Sequence, residues 1–315
     1  MASKAIFRSI LFPVDFSPAS EEVASHVRGW AERTGATVTL LHVIPWLSAS
    51  YDLAGRCPPA ASKSDLGRLE EQATLSLEIF REKYFFGIPS QREIKVGSIT
   101  KGITDTAAQY GADLIMMPTR GLGRSRPFLI GSTTAKVLHD ARCAVWTSPH
   151  RGILKPFTAY QHILCALDRE EVPRGYLEEA THLSSCFDSR LSFVTAIPSL
   201  TGGYGEERQI ESLGREFPQA HLRQAATPDH CTVLTETGAV GDVIRQVAEN
   251  HHVDLVLINR GHLQQPYGKF QTHVYDIVLE SPCPVLSLCI SYPLAQQERV
   301  KNHASAASRF ETAVL

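Results

Sequence analysis

The residues best equipped for chemistry form one continuous stretch, Pro118-Thr119-Arg120-Gly121-Leu122-Gly123-Arg124-Ser125-Arg126-Pro127-Phe128-Leu129-Ile130-Gly131-Ser132-Thr133-Thr134. It reads as a basic loop that ends in Gly-Ser-Thr-Thr ahead of a predicted helix over about 133–141. Small hydroxylated residues at a helix start leave backbone N–H groups and the positive end of the helix dipole facing outward, which suits a phosphate. Gly121 and Gly131 let the backbone approach an anion closely, and Arg120, Arg124 and Arg126 can add charge-assisted hydrogen bonds. The same residues also fit a solvated loop before an ordinary helix, and the segment alone does not choose between the two.

Other chemistry is harder to find. No Gly-Lys-Ser/Thr occurs, so there is no P-loop, and no G-x-G-x-x-G follows the first predicted strand. Ser132 lacks the G-x-S-x-G elbow of a hydrolase nucleophile. His251 and His252 are adjacent, so their rings diverge, and no third metal ligand accompanies them. Of the seven cysteines none forms a C-x-x-C pair, so neither a zinc ribbon nor a disulfide framework is expected. Cys143, Cys165, Cys283 and Cys289 lie in apolar strand-like runs and read as buried small hydrophobes, whereas Cys57 falls in a loop.

The elements that position these residues occur twice. Ser9-Ile10-Leu11-Phe12-Pro13-Val14-Asp15 and His162-Ile163-Leu164-Cys165-Ala166-Leu167-Asp168 are both apolar runs closed by an aspartate. Helix-like segments follow at about 18–33 and 172–186, then apolar strands at 37–45 and 191–198. Asp15 and Asp168, like Pro45 and Pro198, stand 153 residues apart. Third strands leave through Gly97 and Gly238, fourth strands begin at Asp113 and Asp254, and fifth strands begin at Cys143 and Cys283. Alternating strands and helices predict an α/β class: two doubly wound domains, each a five-stranded parallel sheet with helices on both faces. Residues 1–150 and 160–292 are the expected domains, with a Pro- and Gly-bearing linker between them and a polar tail over 293–315. The stretch from Trp46 to Lys63 reads as a loop, and Ser64 or Asp65 can cap the helix after it.

Charge and hydropathy exclude several classes. Thirty-one basic against 33 acidic residues leave a net charge of −2, which argues against a nucleic-acid or anionic-membrane partner. No run nears the roughly 20 apolar residues of a spanning helix, and the first residues have no secretory core, so a cytoplasmic protein is expected.

With these residues in view, the chain resembles a tandem universal stress protein, one domain per copy. Gly121, the nine residues after it, and Gly131-Ser132 match the second and third glycines and the hydroxyl of the family's nucleotide motif, while Pro118 replaces the first glycine. The resemblance covers about residues 5–148 and 161–290. It implies a strand order 3-2-1-4-5 and a crevice where strands one and four end. There Asp15 would contact ribose or base and the backbone near Val43 would read adenine, while Gly121, Gly131, Ser132 and Thr133 would hold phosphates. Pro13, Met117, Arg120 and Thr134 belong to the same implied site. ATP, alone or with magnesium, is the ligand implied, and no redox cofactor is. An aspartate that merely ends its strand is the other reading of Asp15.

The second copy keeps Asp168, Arg260 and Gly261 but has Gln271 and Thr272 where the first has Gly131 and Ser132. Only the first domain is therefore expected to bind nucleotide. By resemblance the fifth strands pair, here Cys143–Thr147 with Pro284–Leu288, giving an intramolecular pseudo-dimer that could dimerise again. The function expected is a stress-response module governed by adenine nucleotide, with at most slow hydrolysis because no Walker-type lysine or positioned base is present. The alternative is a nucleotide-free adaptor with a decayed crevice. An adenylate-forming enzyme is disfavoured, since S-G-G-x-D-S and H-I-G-H are both missing.

Overall fold

The computed structural model describes residues 7–45, 63–121, 129–151, 153–168, 172–197, 231–260 and 270–290. Arg124, Arg126, Cys57, Gly261, the loop over 46–62 and the tail lie outside the described residues, as do the side chains of Gln271 and Thr272.

The first copy runs β1 (Ser9–Pro13), α1 (Pro18–Thr34), β2 (Thr37–Pro45), α2 (Lys63–Phe85), β3 (Ser90–Gly97), α3 (Ile99–Gln109), β4 (Leu114–Met117), α4 (Ser132–Asp140) and β5 (Ala144–Thr147). The second runs β6 (His162–Ala166), α5 (Arg174–Phe187), β7 (Arg190–Ile197), β8 (Thr232–Thr237), α6 (Val240–Asn250), β9 (Leu255–Asn259), α7 (Phe270–Glu280) and β10 (Val285–Leu288). Local signals account for the boundaries. Ser17 caps α1 by accepting from the Ser20 N–H, and Pro18 fills the first turn. Gly35, at φ 69°, closes the helix in the left-handed conformation that glycine adopts without strain.

Strand order is β3-β2-β1-β4-β5-β10-β9-β6-β7-β8. Each half is parallel and has its third, second, first, fourth and fifth strands in that order. The halves are not two separate sheets as expected. They form one ten-stranded mixed sheet because β5 and β10 pair antiparallel, Val285 with Thr147, Leu286 with Trp146 and Ser287 with Val145. Two fifth-strand edges that would otherwise expose unpaired backbone are thereby covered.

Alternation along the strands divides the core into two layers. Ile10, Phe12, Leu40, Met116 and Trp146 face α1, α2 and α5, whereas Leu11, Leu41, Ile115, Met117 and Val145 face α3, α4, α6 and α7. The linker belongs to the first layer. Phe157 lies against Gly29 of α1 so closely that a Cβ there would overlap its ring. Tyr160 is 2 % exposed, and its phenol oxygen accepts from the indole N–H groups of Trp30 (3.1 Å) and Trp146 (3.0 Å). The Tyr160 O–H is left for Nδ1 of His26 at 3.3 Å, and the His26 Nε2–H donates to the Lys155 carbonyl at 2.8 Å. Neutral imidazole fits this chain of bonds, since both phenol lone pairs are taken. Burial accordingly pulls the His26 pKa below its ordinary value, against the opposing Lys155 carbonyl.

Tyr160→Phe should destabilise the chain in urea titrations, because each buried indole N–H left without an acceptor costs about 1–3 kcal/mol. A pH dependence follows from His26. Its pKa is depressed in the fold, so its contribution is complete above the unfolded value near 6.5 and is lost as pH falls below it. The urea midpoint should be level above about pH 7 and decline toward pH 5, and His26→Phe should remove part of that slope. His162, also depressed by burial, supplies another part.

Candidate functional site

At the carboxyl end of β1 the Val14 N–H bonds to the Leu41 carbonyl (2.8 Å), keeping the chain alongside β2 until it turns at Asp15. Phe16 turns it in the left-handed region at φ 59°, unusual for a bulky residue. Its ring rests on His42 at 4.7 Å between centroids, and His42 Nδ1 donates to the Val14 carbonyl at 2.7 Å. Asp15 Oδ1 accepts from the Ser17 N–H (3.0 Å), the Ser17 hydroxyl (2.6 Å) and the Ser20 hydroxyl (2.6 Å). The carboxylate is thus fixed at the start of α1, where the dipole favours negative charge. Its other oxygen, Oδ2, faces the loop after β4: a Cβ on Gly121 would overlap it.

The loop after β4 is tied at both ends. Met117 accepts from the Ser148 N–H at 3.3 Å, and the Thr119 N–H donates to Ser148 Oγ at 3.1 Å. Across the loop the Gly131 N–H donates to the Thr119 carbonyl (3.0 Å) and the Thr134 hydroxyl donates to the Pro118 carbonyl (3.1 Å). A Cβ on Gly131 would stand 3.0 Å from the Thr119 carbonyl oxygen. Gly131 is also the N-cap of α4 and supplies no side-chain cap, so the first turn, with Ser132 exposed and Thr133 half-buried, has no side-chain acceptor from its cap residue.

The structure brings Asp15 and Gly121 together, and joins Gly131, Ser132 and Thr133 to the same loop through Thr119. Pro13 is half-buried at the end of β1. Other expected residues serve the scaffold with their side chains. Met117 and Val43 pack in the core, Val43 against α3, where Gly102 leaves room for it. Thr134 is buried with its hydroxyl on the backbone. Arg120 turns to His150, donating to its carbonyl at 3.0 Å and lying within 3.3 Å of both ring nitrogens. Ser17 and Ser20 escaped the sequence reading as partners of Asp15, although Ser17-Pro18-Ala19-Ser20 is a helix-cap spacing.

In the second copy the Leu167 N–H bonds to the Val194 carbonyl (2.8 Å), repeating Val14 and Leu41, and Asp168 follows half-buried. Glu170 and Pro173 stand where the first copy has Ser17 and Ser20, and α5 has no side-chain cap. Arg260 is buried and crosses to the first copy, donating to the Leu138 carbonyl in the last turn of α4 (3.0 Å) and to the Cys143 carbonyl. Cys143 and Cys289 are half-buried just outside their strands, not enclosed in them as expected. Among the described residues no cluster of three His, Cys, Asp or Glu side chains could hold a metal, and no helix is long and apolar enough to cross a membrane.

The model of the universal stress protein family matches residues 6–149 and 159–288. A universal stress protein of Synechocystis is 26 % identical over 152 residues, covering 46 % of this chain and 99 % of its own. Universal stress protein A homolog 1 of Coxiella burnetii is 27 % identical over 144 residues, covering 44 % and 96 %. Each is similar to about half of this chain. Among solved structures, a universal stress protein from Archaeoglobus fulgidus superposes with a TM-score of 0.65 at 18 % identity, covering 91 % of this chain and 97 % of that one.

Asp15→Ala should lower stability by about 1–3 kcal/mol without any ligand, because the Ser17 and Ser20 hydroxyls lose their acceptor. Urea unfolding of the ligand-free protein checks this; an unchanged midpoint would remove the structural half of Asp15's role.

Proposed function

Because the chain belongs to the universal stress protein family, we propose that its first domain binds an adenine nucleotide, ATP foremost, and works as a regulatory module instead of an enzyme. The observation that supports the reading is that Asp15 Oδ2 faces Gly121, on the loop that leads to the glycine-capped start of α4. A carboxylate can accept from sugar hydroxyls, while a helix start with no side-chain cap offers N–H groups to phosphate. At Gly131 any side chain would meet the Thr119 carbonyl, so the glycine is what lets the loop close against the start of α4. Pro13 and the backbone near Val43 would flank the base, and Ser132 and Thr133 would add donors to the phosphates. ATP supplies the anionic phosphates, and magnesium, when present, would sit on them with water completing its shell.

Hydrolysis in this reading is slow at most, since no lysine or general base accompanies the loop. The second domain is the regulatory partner. Its Arg260 is engaged at α4, and Gln271 replaces the glycine at the point of close approach. One observation favours the rival reading of a nucleotide-free adaptor: Arg120, the described arginine of the loop, is held by His150.

Calorimetric titration of ATP, ADP and AMP into the full chain decides between them. One nucleotide per chain is expected, with Gly131→Gln weakening affinity at least about tenfold. Two equivalents would refute the silent second domain, and no binding by the unmodified chain would establish the adaptor.

A further inference from the structure

Extending the β5–β10 register outward by two residues sets two cysteines opposite each other. Val285 faces Thr147 and Ser287 faces Val145, so Cys289 comes across from Cys143. Directly opposed residues of antiparallel strands have Cβ atoms about 4.5–5.5 Å apart on the same face of the sheet. A disulfide needs about 3.5–4.5 Å, a short closing movement. The face agrees. Cys143 packs with Val145 against the layer under α4 and α7, and alternation places Cys289 there too, since Leu286 and Leu288 lie in the opposite layer. The chain is held on both sides of Cys289: the Leu288 carbonyl accepts from the Arg260 N–H (2.9 Å), and the Ile290 N–H donates to Asn259 Oδ1 (3.1 Å). Both thiols are reduced and half-buried.

Arg260 adds the electrostatics. It follows β9, whose Asn259 pairs with Leu288, so it lies beside Cys289, and its guanidinium continues to the Cys143 carbonyl. The cation acts on both thiols, and its Nε is buried with no hydrogen-bond partner. Burial pushes the Cys143 thiol up to about 11, with Arg260 opposing, which makes Cys143 a poor first nucleophile.

We propose that Cys143 and Cys289 are a modification site at which hydrogen peroxide forms a reversible disulfide that clasps the two domains. The Cys289 thiolate attacks one peroxide oxygen; the O–O bond breaks, leaving a sulfenic acid and a hydroxide that takes up a proton to become water. The Cys143 thiol then gives up its proton as its sulfur attacks the Cys289 sulfur, and the S–O bond breaks to release a second water. Two thiols lose two electrons, and one peroxide is reduced to two waters. The new bond encloses every described element of the second copy in one covalent loop, so the halves cannot part at β5 and β10 without breaking it.

The full-length protein, treated with hydrogen peroxide and then blocked with iodoacetamide, would be digested and mapped without reduction, with fragmentation to tell Cys289 from Cys283 on their shared peptide. The expected result is an intramolecular Cys143–Cys289 cross-link that dithiothreitol removes, present in Cys186→Ser and lost in Cys143→Ser and Cys289→Ser. Recovery of both cysteines in alkylated form after oxidation of the unmodified chain would overturn the proposal, whether or not the variants fold. A cross-link from either to Cys283 or to a second chain would overturn it as well. None of these readouts involves nucleotide, so the outcome is independent of the ligand assigned to the first domain.

Discussion

Two like halves can share one continuous sheet only if their outer strands meet edge to edge, and a two-fold relation between the halves makes that meeting antiparallel. The three residue pairs between β5 and β10 satisfy this constraint, and the remaining contacts between the copies are arranged by it. Helices of corresponding position then fall on the same face: α4 and α7 on one side, α1 and α5 on the other. On the first side the Tyr275 hydroxyl donates to the Ala135 carbonyl of α4. On the second, Arg33 of α1 donates to the Cys186 and Phe187 carbonyls that end α5. Arg33 and Arg260 thus do the same thing on opposite faces. Each brings a cation from one copy to the carboxyl end of a helix in the other, where the dipole welcomes positive charge.

The duplication makes the differences informative. Arg120, three residues past the end of β4, and Arg260, one past the end of β9, both follow a fourth strand, yet they end differently. Arg120 stays within its own copy on His150, while Arg260 crosses the junction to Leu138 and Cys143. An arginine committed to two carbonyls in a buried seam is not available to a phosphate on its own crevice. The second copy also has Glu170 and Pro173 where serines brace Asp15, and Gln271 where a glycine caps α4.

Much of this was legible in the sequence. Apolar runs ending in aspartate located β1 and β6 within a residue or two, and the resemblance anticipated which strands would meet, because burial on both faces leaves a strong hydropathy signal. Side-chain destinations were not legible. Thr134 sits in a run of hydroxyls suited to phosphate, but its own hydroxyl closes the loop on Pro118, a partner sixteen positions away. The linker was read as a spacer from its prolines and glycine; Tyr160, which organises two indoles and a histidine, carries no local mark of doing so, because Trp30 and His26 lie some 130 residues before it. Cys143 and Cys289 looked like strand interiors, and only the antiparallel register, extended by two residues, sets them opposite each other.

These features converge on α4. Its start carries Gly131, Ser132 and Thr133; its middle accepts the Tyr275 hydroxyl at Ala135; its last turn accepts Arg260 at Leu138; and Cys143 follows it directly. The helix is nine residues, about 14 Å, so the crevice of one copy and the seam with the other are separated by two and a half turns. A helix this short is held mainly by what packs against it. An anion at its first turn and a guanidinium at its last lie at opposite ends of a single row of aligned peptide dipoles, each favouring the polarity that the other favours. Among the described residues, α4 is thus the helix whose start borders the loop after β4 and whose end lies at the junction with the second copy.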